Sequence, residues 1–304
     1  MKNKKVTIRN FEEYQEYMKA FLLFFDDFCR KNNISYSVFA GTMLGTIRNK
    51  GLIPWDGDID VILTRKELMK LKSAFKHYHG RYHLNYPGNF LAKRTKKEIH
   101  PYYCRIIDKK CRSPYFLIDV YTFDYLGNDK EKAIRGIKKL CRLEKRSIVG
   151  PLFHLPDIQR SKTIKQNVLA IVCHVFHPLL YPISWLLTPF MNRAINKCEK
   201  EYFSFDEDSI YEIVEPTFGR YSINKNILLK SGISDYPFEN FSVMCINNYD
   251  HYLKTVYHDY MSLPPVEKRV PFPKSLLTEK IKIIIDDELM YFLKRIDSSV
   301  VKEK

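Results

Sequence analysis

FAGTMLGTIRNKGLIPWDGDIDVI, residues 39–62, carries the strongest structural signals in this chain of 304 residues. The apolar segment that leads into it, residues 34–39, predicts a short strand. Gly41-Thr42 then ends that strand and opens a brief helix. Backbone N–H groups at such a strand-to-helix turn can hold a phosphate. Gly41 and Thr42 are therefore candidate substrate-binding residues.

Two basic residues, Arg48 and Lys50, lie between this turn and the acidic end of the stretch. Their charges would neutralise the phosphates of a bound substrate, so both are candidate substrate-binding residues. Each is equally compatible with an ordinary surface charge.

The last part of the stretch, residues 58–63, predicts a second strand, along which side chains alternate between two faces. Asp58 and Asp60 then share one face. Two carboxylates this close repel each other, and a divalent cation relieves the repulsion. Mg²⁺, or Mn²⁺ in its place, takes oxygen ligands and keeps positions for phosphate oxygens. Asp58 and Asp60 are therefore predicted metal ligands and catalytic residues, whereas Asp56 is interpreted as a turn residue rather than a supporting carboxylate.

A single acid, Asp119, stands in the apolar strand predicted over residues 115–121. A carboxylate inside such a strand requires a partner, and a neighbouring metal site would supply one. A buried ion pair with Arg105 or Arg112 would also supply one, so position alone leaves both interpretations open.

Helices and strands alternate on both sides of these motifs, which predicts an α/β (α+β) fold with a mixed β-sheet flanked by helices. Apolar residues at helical spacing predict a long amphipathic helix over residues 11–31. Other predicted helices cover 66–77, 130–145, 248–260 and 280–295. Other predicted strands cover 102–107 and 115–121.

Composition indicates a folded, basic protein with reduced thiols. Hydrophobic residues make up 45% of the chain, which excludes a disordered protein. The formal net charge of +15 favours an anionic partner, and scattered lysines favour phosphate over nucleic acid. Seven cysteines without CxxC spacing are typical of a cytosolic protein. We therefore expect a cytoplasmic location and no nucleic-acid partner.

The segment 166–192 is strongly apolar and contains no Asp, Glu, Lys or Arg. Its length would suffice for a membrane span of about 20 residues, but prolines and histidines interrupt it. Basic residues flank both ends, as in a segment that lies in a membrane interface. Two interpretations stay open: a peripheral contact with the inner face of the plasma membrane, and a buried, kinked helical pair.

A Gly-Thr turn, an Asp-x-Asp strand and a later single Asp are similar in order to the motifs of the nucleotidyltransferase superfamily. More specifically, residues 41–48 and 51–60 resemble the signature of the LicD-type phosphotransferases. Residues 118–120 resemble the second acidic strand of that family, and parts of 252–269 resemble its C-terminal motif. The chain departs from the family pattern at Asn49, Gly57 and His258.

The resemblance implies a nucleotidyltransferase-like catalytic core over 1–130. A helical, apolar subdomain would follow over 131–205, and a C-terminal part over 206–304 would complete the catalytic domain. It also identifies Asp58, Asp60 and Asp119 as the catalytic, metal-binding acids. The implied reaction moves phosphocholine or another phospho-alcohol from a CDP-activated donor, CDP-choline first among them, and releases CMP. The implied acceptor is a sugar hydroxyl of a cell-surface glycan (lipopolysaccharide, teichoic acid or capsule) or of its lipid-linked precursor.

Two other functions are compatible with the sequence. The first is a nucleotidyltransferase that attaches a nucleoside monophosphate to a small molecule and releases pyrophosphate. The second is a non-enzymatic, membrane-surface scaffold of glycan assembly. The product that leaves the donor distinguishes the three functions.

Overall fold

The computed structural model describes residues 4–85, 104–111, 113, 115–147, 208–209, 211–214, 222–225, 228–271 and 280–296, with scattered helical positions between 168 and 202. The chain forms two compact units. The first contains residues 1–85, 103–123 and 224–304, and the second contains 86–102 and 124–223. The predicted three-part division into 1–130, 131–205 and 206–304 stays a prediction.

A five-stranded mixed sheet organises the candidate site. Its strands are β2 (Ser37–Val38), β3 (Ile59–Thr64), β4 (Tyr82–Asn85), β5 (Cys104–Asp108) and β6 (Leu117–Gly127). They lie in the order β2-β3-β6-β5-β4. The central pair, β3 and β6, is parallel, and the other pairs are antiparallel. The mixed sheet with flanking helices confirms the predicted fold class.

Helix α1 (Phe11–Lys31) has the predicted bounds. Asn10 caps its first turn, because the Asn10 side chain accepts a hydrogen bond from the Glu13 N–H at 2.8 Å. After α1, the Ile34 N–H donates to the Cys29 carbonyl at 2.9 Å and continues the helix-terminal turn. For that reason β2 begins only at Ser37, three residues later than predicted.

The Gly-Thr turn opens a helix as predicted. Helix α2 (Ala40–Leu44) continues as a π-helical turn (Gly45–Asn49) that ends at Lys50, whose backbone is left-handed with φ 56°. Helix α3 (Arg65–Lys76) follows β3 directly. These short connections place the Gly-Thr turn against the first residues of β3, where the Phe39 N–H donates to the Asp60 carbonyl at 2.9 Å.

The second unit contains helix α4 (Lys130–Ser147), strand β7 (Tyr211–Val214) and the first two residues of strand β8 (Ser222–Lys225). Strand β7 pairs with β8 and with β6. Buried residues of α4 pack against Cys198, Ile195 and Tyr202 in a small apolar core. None of the helices in the described ranges is both long enough and apolar enough to cross a bilayer.

The C-terminal part of the chain completes the first unit. Strands β9 (Ile233–Phe238) and β10 (Phe241–Ile246) form a hairpin, and helix α5 (Tyr249–Tyr257) follows. The helix predicted over 248–260 ends early, because His258 adopts a left-handed conformation with φ 57°. Strand β11 (Lys282–Ile285) then pairs with β1 (Lys4–Thr7) near the other end of the chain.

One sequence-based expectation is wrong: residues 280–295 do not form a single helix. Their first part is β11, and helix α6 covers only Asp287–Ile296. The isoleucines at 281 and 283–285 favour a strand, since β-branched side chains fit a pleated surface. Asp286 then starts the helix, because its side chain accepts a hydrogen bond from the Leu289 N–H at 2.9 Å.

Candidate active site

Asp60 and Asp119 lie directly opposite each other on the two central parallel strands, β3 and β6. Neighbouring strands are about 4.8 Å apart, and residues in register project to the same face. Both residues are buried, with 9% and 8% of their surface exposed. The structure therefore brings together the Asp-x-Asp motif and the distant single aspartate, as the sequence predicts.

Asp119 also has a basic partner. The Nε atom of Arg105, its cross-strand neighbour on β5, donates to Asp119 Oδ1 at 2.6 Å. The ion pair is largely buried, which meets the requirement of a carboxylate inside an apolar strand. The buried ion pair with Arg105, which is one of the two interpretations of Asp119, is thus observed directly. The alternative partner, Arg112, lies outside the described residues.

Asp58 immediately precedes β3 rather than lying within it, and it interacts closely with Asp56. Burial raises the pKa of the Asp56 carboxyl, and the charge of Asp58 and a hydrogen bond to it raise that pKa further, to about 9. Asp56 therefore keeps its proton at neutral pH and shares it with Asp58. Sequence reasoning missed this pair, although residues 56, 58 and 60 follow the same alternation.

Thr42 holds the backbone of Asp60 in place. Its side chain is buried, and its hydroxyl accepts a hydrogen bond from the Asp60 N–H at 2.9 Å. Its carbonyl accepts a second bond from the Thr46 hydroxyl at 2.8 Å. The Gly-Thr turn thus has a structural role in the site, and phosphate binding by Thr42 stays a prediction.

A cavity of about 530 Å³ opens beside these acids. It is lined by Gly41, Leu44, Arg48, Ile53, Trp55, Asp56, Tyr257, Asp259, Tyr260, Ser262, Leu263 and Pro264. A Cβ atom at position 41 would collide with the Asp56 carboxylate, so only glycine allows the two residues to approach this closely. Two predicted substrate-binding residues, Gly41 and Arg48, therefore line the cavity.

Arg48 and Lys50 have different surroundings. Arg48 is half-buried and donates to the Tyr260 carbonyl at 3.2 Å. Burial and the nearby charge of Arg269 lower its pKa. Lys50 is exposed and does not line the cavity, and its carbonyl accepts a hydrogen bond from the Glu239 N–H at 2.6 Å. Substrate binding by either residue stays a prediction.

Tyr257 also lines the cavity and lies near the acidic residues. Burial raises the pKa of its hydroxyl, and the nearby carboxyl groups of Asp60, Asp56 and Asp58 raise it further. The three carboxyl groups therefore act on the same hydroxyl, which stays protonated and can donate a hydrogen bond. Sequence reasoning assigned Tyr257 to a motif without giving it a role.

Helix α1 fixes the loop that carries the acids. The Tyr14 hydroxyl donates to the carbonyls of Gly57 and Tyr115 at 2.8 and 2.9 Å. The Gln15 amide donates to the carbonyls of Ile53 and Asp56, both at 2.8 Å. These buried hydrogen bonds cross from one element to another, so they hold the loop rigidly against the helix.

The four acids form two pairs, Asp56–Asp58 and Asp60–Asp119. Within the described ranges, no three His, Cys, Asp or Glu side chains are arranged to hold a metal ion together. The donor set is nevertheless all carboxylate oxygen, the type that Mg²⁺ takes. A proton shared by two carboxyl groups is also what a divalent cation would replace. The residue types fit Mg²⁺, and metal binding stays a prediction.

Comparison with known proteins gives two kinds of match. Residues 33–138 match the family model described as LicD/FKTN/FKRP, nucleotidyltransferase domain. The lipopolysaccharide cholinephosphotransferase LicD of Haemophilus influenzae is 28% identical over 274 residues, which cover 88% of this chain and 96% of the relative. An uncharacterized protein of Rickettsia prowazekii, RP689, is 35% identical over 48 residues, which cover 16% of this chain and 18% of that protein.

Proposed function

We propose that the protein transfers a phospho-alcohol from a CDP-activated donor to a saccharide hydroxyl, because residues 33–138 match the nucleotidyltransferase domain model of the LicD/FKTN/FKRP family. Phosphocholine from CDP-choline is the first candidate, since a relative that matches almost end to end is named a lipopolysaccharide cholinephosphotransferase. The observation that carries the proposal is the in-register pair of Asp60 and Asp119 beside a cavity that contains Asp56.

The proposed reaction is an in-line displacement at the phosphorus that bears the alcohol. The acceptor oxygen forms a new P–O bond, the P–O bond to CMP breaks, and its electron pair leaves with CMP. The proton of the acceptor hydroxyl passes to a carboxylate, for which Asp119 is the candidate. Such transfers depend mainly on positioning and on stabilisation of charge.

The residues around the cavity supply both requirements. Arg48 offers a positive charge to a donor phosphate, and Tyr257 offers a protonated hydroxyl. Arg105 keeps Asp119 in a fixed orientation. Gly41 allows a phosphate to approach the backbone because it has no side chain. The structure holds Arg48 and Asp119 in place through hydrogen bonds, before any substrate binds.

Asp58, Asp60 and Asp119 would hold Mg²⁺, with Asp56 as a supporting carboxyl. When bound, the ion would neutralise the diphosphate and stabilise the charge that develops on it. The chain's own contribution is to hold two pairs of carboxyl groups, with Asp60 and Asp119 buried and Asp56 and Asp58 half-buried.

Identification of the leaving product tests the proposal. The full chain is incubated with Mg²⁺, a panel of CDP-alcohols and a mixture of saccharide acceptors, and nucleotides are separated by chromatography. The expected result is CMP from one CDP-alcohol. Pyrophosphate released from a nucleoside triphosphate would support nucleotidyl transfer instead, and neither product would support a non-enzymatic scaffold.

We also propose that the second unit contacts an anionic membrane surface, as a lipid-linked acceptor would require. Val168, Ile171, Val172 and Val175 are helical residues at the spacing of one helix face, and each has at least 45% of its surface exposed. Phe190 is also exposed, and the exposed basic residues Arg193, Lys197 and Lys200 follow it. An apolar face beside basic residues fits a bilayer with anionic lipids.

A further inference from the structure

A second cavity of about 540 Å³ lies on the other side of Trp55. Its lining includes Asn10, Glu12 and Tyr14 from the start of α1, together with Arg269. Trp55 is half-buried and lines both this cavity and the one that contains Asp56. The two cavities are thus neighbours that share one aromatic wall.

Two contacts join the second cavity to the acidic site. Arg269 donates from Nε to the carbonyl of Pro264, which lines the first cavity, at 2.7 Å. Tyr14 donates to the carbonyl of Gly57, between Asp56 and Asp58, at 2.8 Å. A ligand in the second cavity would therefore rest against groups that hold the acidic loop and the wall of the first cavity.

The polar groups of this cavity include donors and acceptors. The Asn10 side-chain oxygen caps α1, which leaves its amide N–H groups for a ligand. Glu12 is exposed, and its carboxylate has no hydrogen-bond or ion-pair partner among the described residues. The guanidinium of Arg269 lies 5.9 Å from the centre of the Trp55 ring and, within the same residues, forms no ion pair with an acid.

Saccharides match this combination of an aromatic wall with donors and acceptors. A sugar ring presents an apolar C–H face, which packs on an aromatic ring, and hydroxyl groups that both donate and accept. A quaternary ammonium group would meet Arg9 and Arg269 as like charges in this cavity. A nucleotide would meet the carboxylate of Glu12.

We infer that the second cavity is the subsite for the acceptor saccharide, with Trp55 as the platform on which the sugar ring stacks. The inference rests on the proposed function in that a transfer reaction needs a second substrate next to the first. Glu12 forms hydrogen bonds with the sugar hydroxyls, and Arg269 aligns the saccharide beside Trp55.

Tryptophan fluorescence tests this assignment without turnover. Trp55 and Trp185 are the two tryptophans of the chain, so a Trp185→Phe variant makes Trp55 the single reporter. The probes are methyl glycosides of glucose, galactose, N-acetylglucosamine, N-acetylgalactosamine and rhamnose, titrated up to about 10 mM, and CMP is titrated for comparison. At least one glycoside is expected to change the emission in a saturable manner.

Glu12→Ala in the same background is expected to weaken that glycoside at least about 5-fold and should not weaken CMP. Glu131→Ala, which changes an exposed glutamate of α4, is the matched control and should alter neither affinity. Failure of every glycoside to bind would overturn the inference, as would equal losses for glycoside and CMP. Glycoside binding without CMP formation from any CDP-alcohol would instead overturn the proposed function, while the assignment of the second cavity as a saccharide site would still hold.

Discussion

At the scale of single residues, the shared proton of Asp56 and Asp58 is the most informative feature of the site. Two half-buried carboxyl groups are held close together at the entrance to β3, and burial of the Asp56 carboxyl favours its protonated form. Such an arrangement lowers stability in the absence of a ligand, and it is typical of sites that bind cations or react.

We predict that Asp58→Asn lowers the rate of CMP formation at least about 100-fold, because it removes a charge aimed at the reacting groups. The protein should still unfold cooperatively, since Asn fills the same volume. Asp235→Asn is the matched control: Asp235 is exposed and pairs with Arg30 on the surface, so activity should not change. An Asp58→Asn variant with near wild-type turnover would refute the role of this residue.

We also predict that the free energy of unfolding falls as pH rises between the pKa of Asp56 in the unfolded chain and its raised pKa in the folded chain. Its pKa is about 9 in the folded chain, against an ordinary value of about 3.9 when unfolded. Between these values the folded state binds more protons, so the free energy of unfolding decreases with pH by at most about 1.4 kcal/mol per unit from this group. The stabilisation is complete below the unfolded pKa and is lost as pH rises through the folded one.

The Asp56→Asn variant supplies the comparison. Urea unfolding of both proteins in EDTA, at pH 5, 7 and 8.5, should show the variant gaining stability relative to the wild type as pH rises. Parallel pH profiles would mean that Asp56 does not hold a proton in the folded chain.

Sequence reasoning located Asp58, Asp60 and Asp119 but not the relations between them. Alternation along a strand is a local rule, so it placed Asp58 and Asp60 on one side without any model of the sheet. The contact between β3 and β6 joins residues far apart in the chain, and only the motif resemblance indicated it. The proton on Asp56 depends on burial of its carboxyl and on the nearby charge of Asp58, and burial is not a local property of the sequence.

At the scale of secondary structure elements, the hydroxyl of Thr42 couples α2 to β3. We predict that Thr42→Val leaves the buried Asp60 N–H without an acceptor, at a cost of about 1–3 kcal/mol in the free energy of unfolding. Activity should fall with it, because the Asp60 backbone loses its anchor.

Thr42→Ser is the matched control, since it keeps the hydroxyl and removes only a methyl group. Thermal unfolding and CMP formation are measured for both variants. A Val variant as stable and as active as the wild type, beside a Ser variant that loses both, would mean that packing of the methyl group matters and the hydrogen bond does not.

The exposed apolar face of the second unit, Val168, Ile171, Val172 and Val175, allows a test of the proposed membrane contact. A Val172→Ser, Val175→Ser double variant should sediment less with vesicles of phosphatidylglycerol and phosphatidylcholine than the wild type does, because apolar area no longer enters the interface. Met69→Ser, at an exposed apolar residue of α3, is the control and should sediment normally. Equal binding by all three proteins would exclude this face as the membrane contact.

The periodicity of apolar residues predicted most elements, and two of the predicted helices are shorter in the structure. Residues 280–295 have a helical pattern, but their isoleucines pair with β1 at the other end of the chain. Tertiary pairing overrode the local period there, whereas α5 ends early because His258 has a positive φ of 57°. A short window of sequence around residues 280–295 contains no information on the pairing with β1.

At the scale of the whole molecule, one buried cation connects distant parts of the first unit. Arg81 is 1% exposed; its Nε donates to Asp108 at 2.7 Å, and its Nη1 donates to Asp286 at 3.1 Å. It thereby links β5 to the junction between β11 and α6. Lys110 also binds Asp286, at 2.6 Å.

We predict that Arg81→Met destabilises the chain by about 3–5 kcal/mol, because Asp108 is left as a buried charge without its partner. Lys254→Met, which breaks the exposed pair with Asp250, should cost less than about 1 kcal/mol and is the control. Urea unfolding measures both. Similar losses in the two variants would mean that Asp108 finds water or another partner when Arg81 is removed.

The pairing of β1 with β11 has a consequence for the way the protein is made. Translation releases residues 4–7 long before their partner strand, 282–285, because more than 270 residues separate the two strands. At about 5–20 residues per second, the nascent chain waits many seconds with its acidic loop exposed and with the wall formed by residues 257–264 still missing. Ribosome-bound intermediates should therefore carry an open, incomplete site that attracts chaperones, and the cavity should close only after residues 257–264 have left the ribosome.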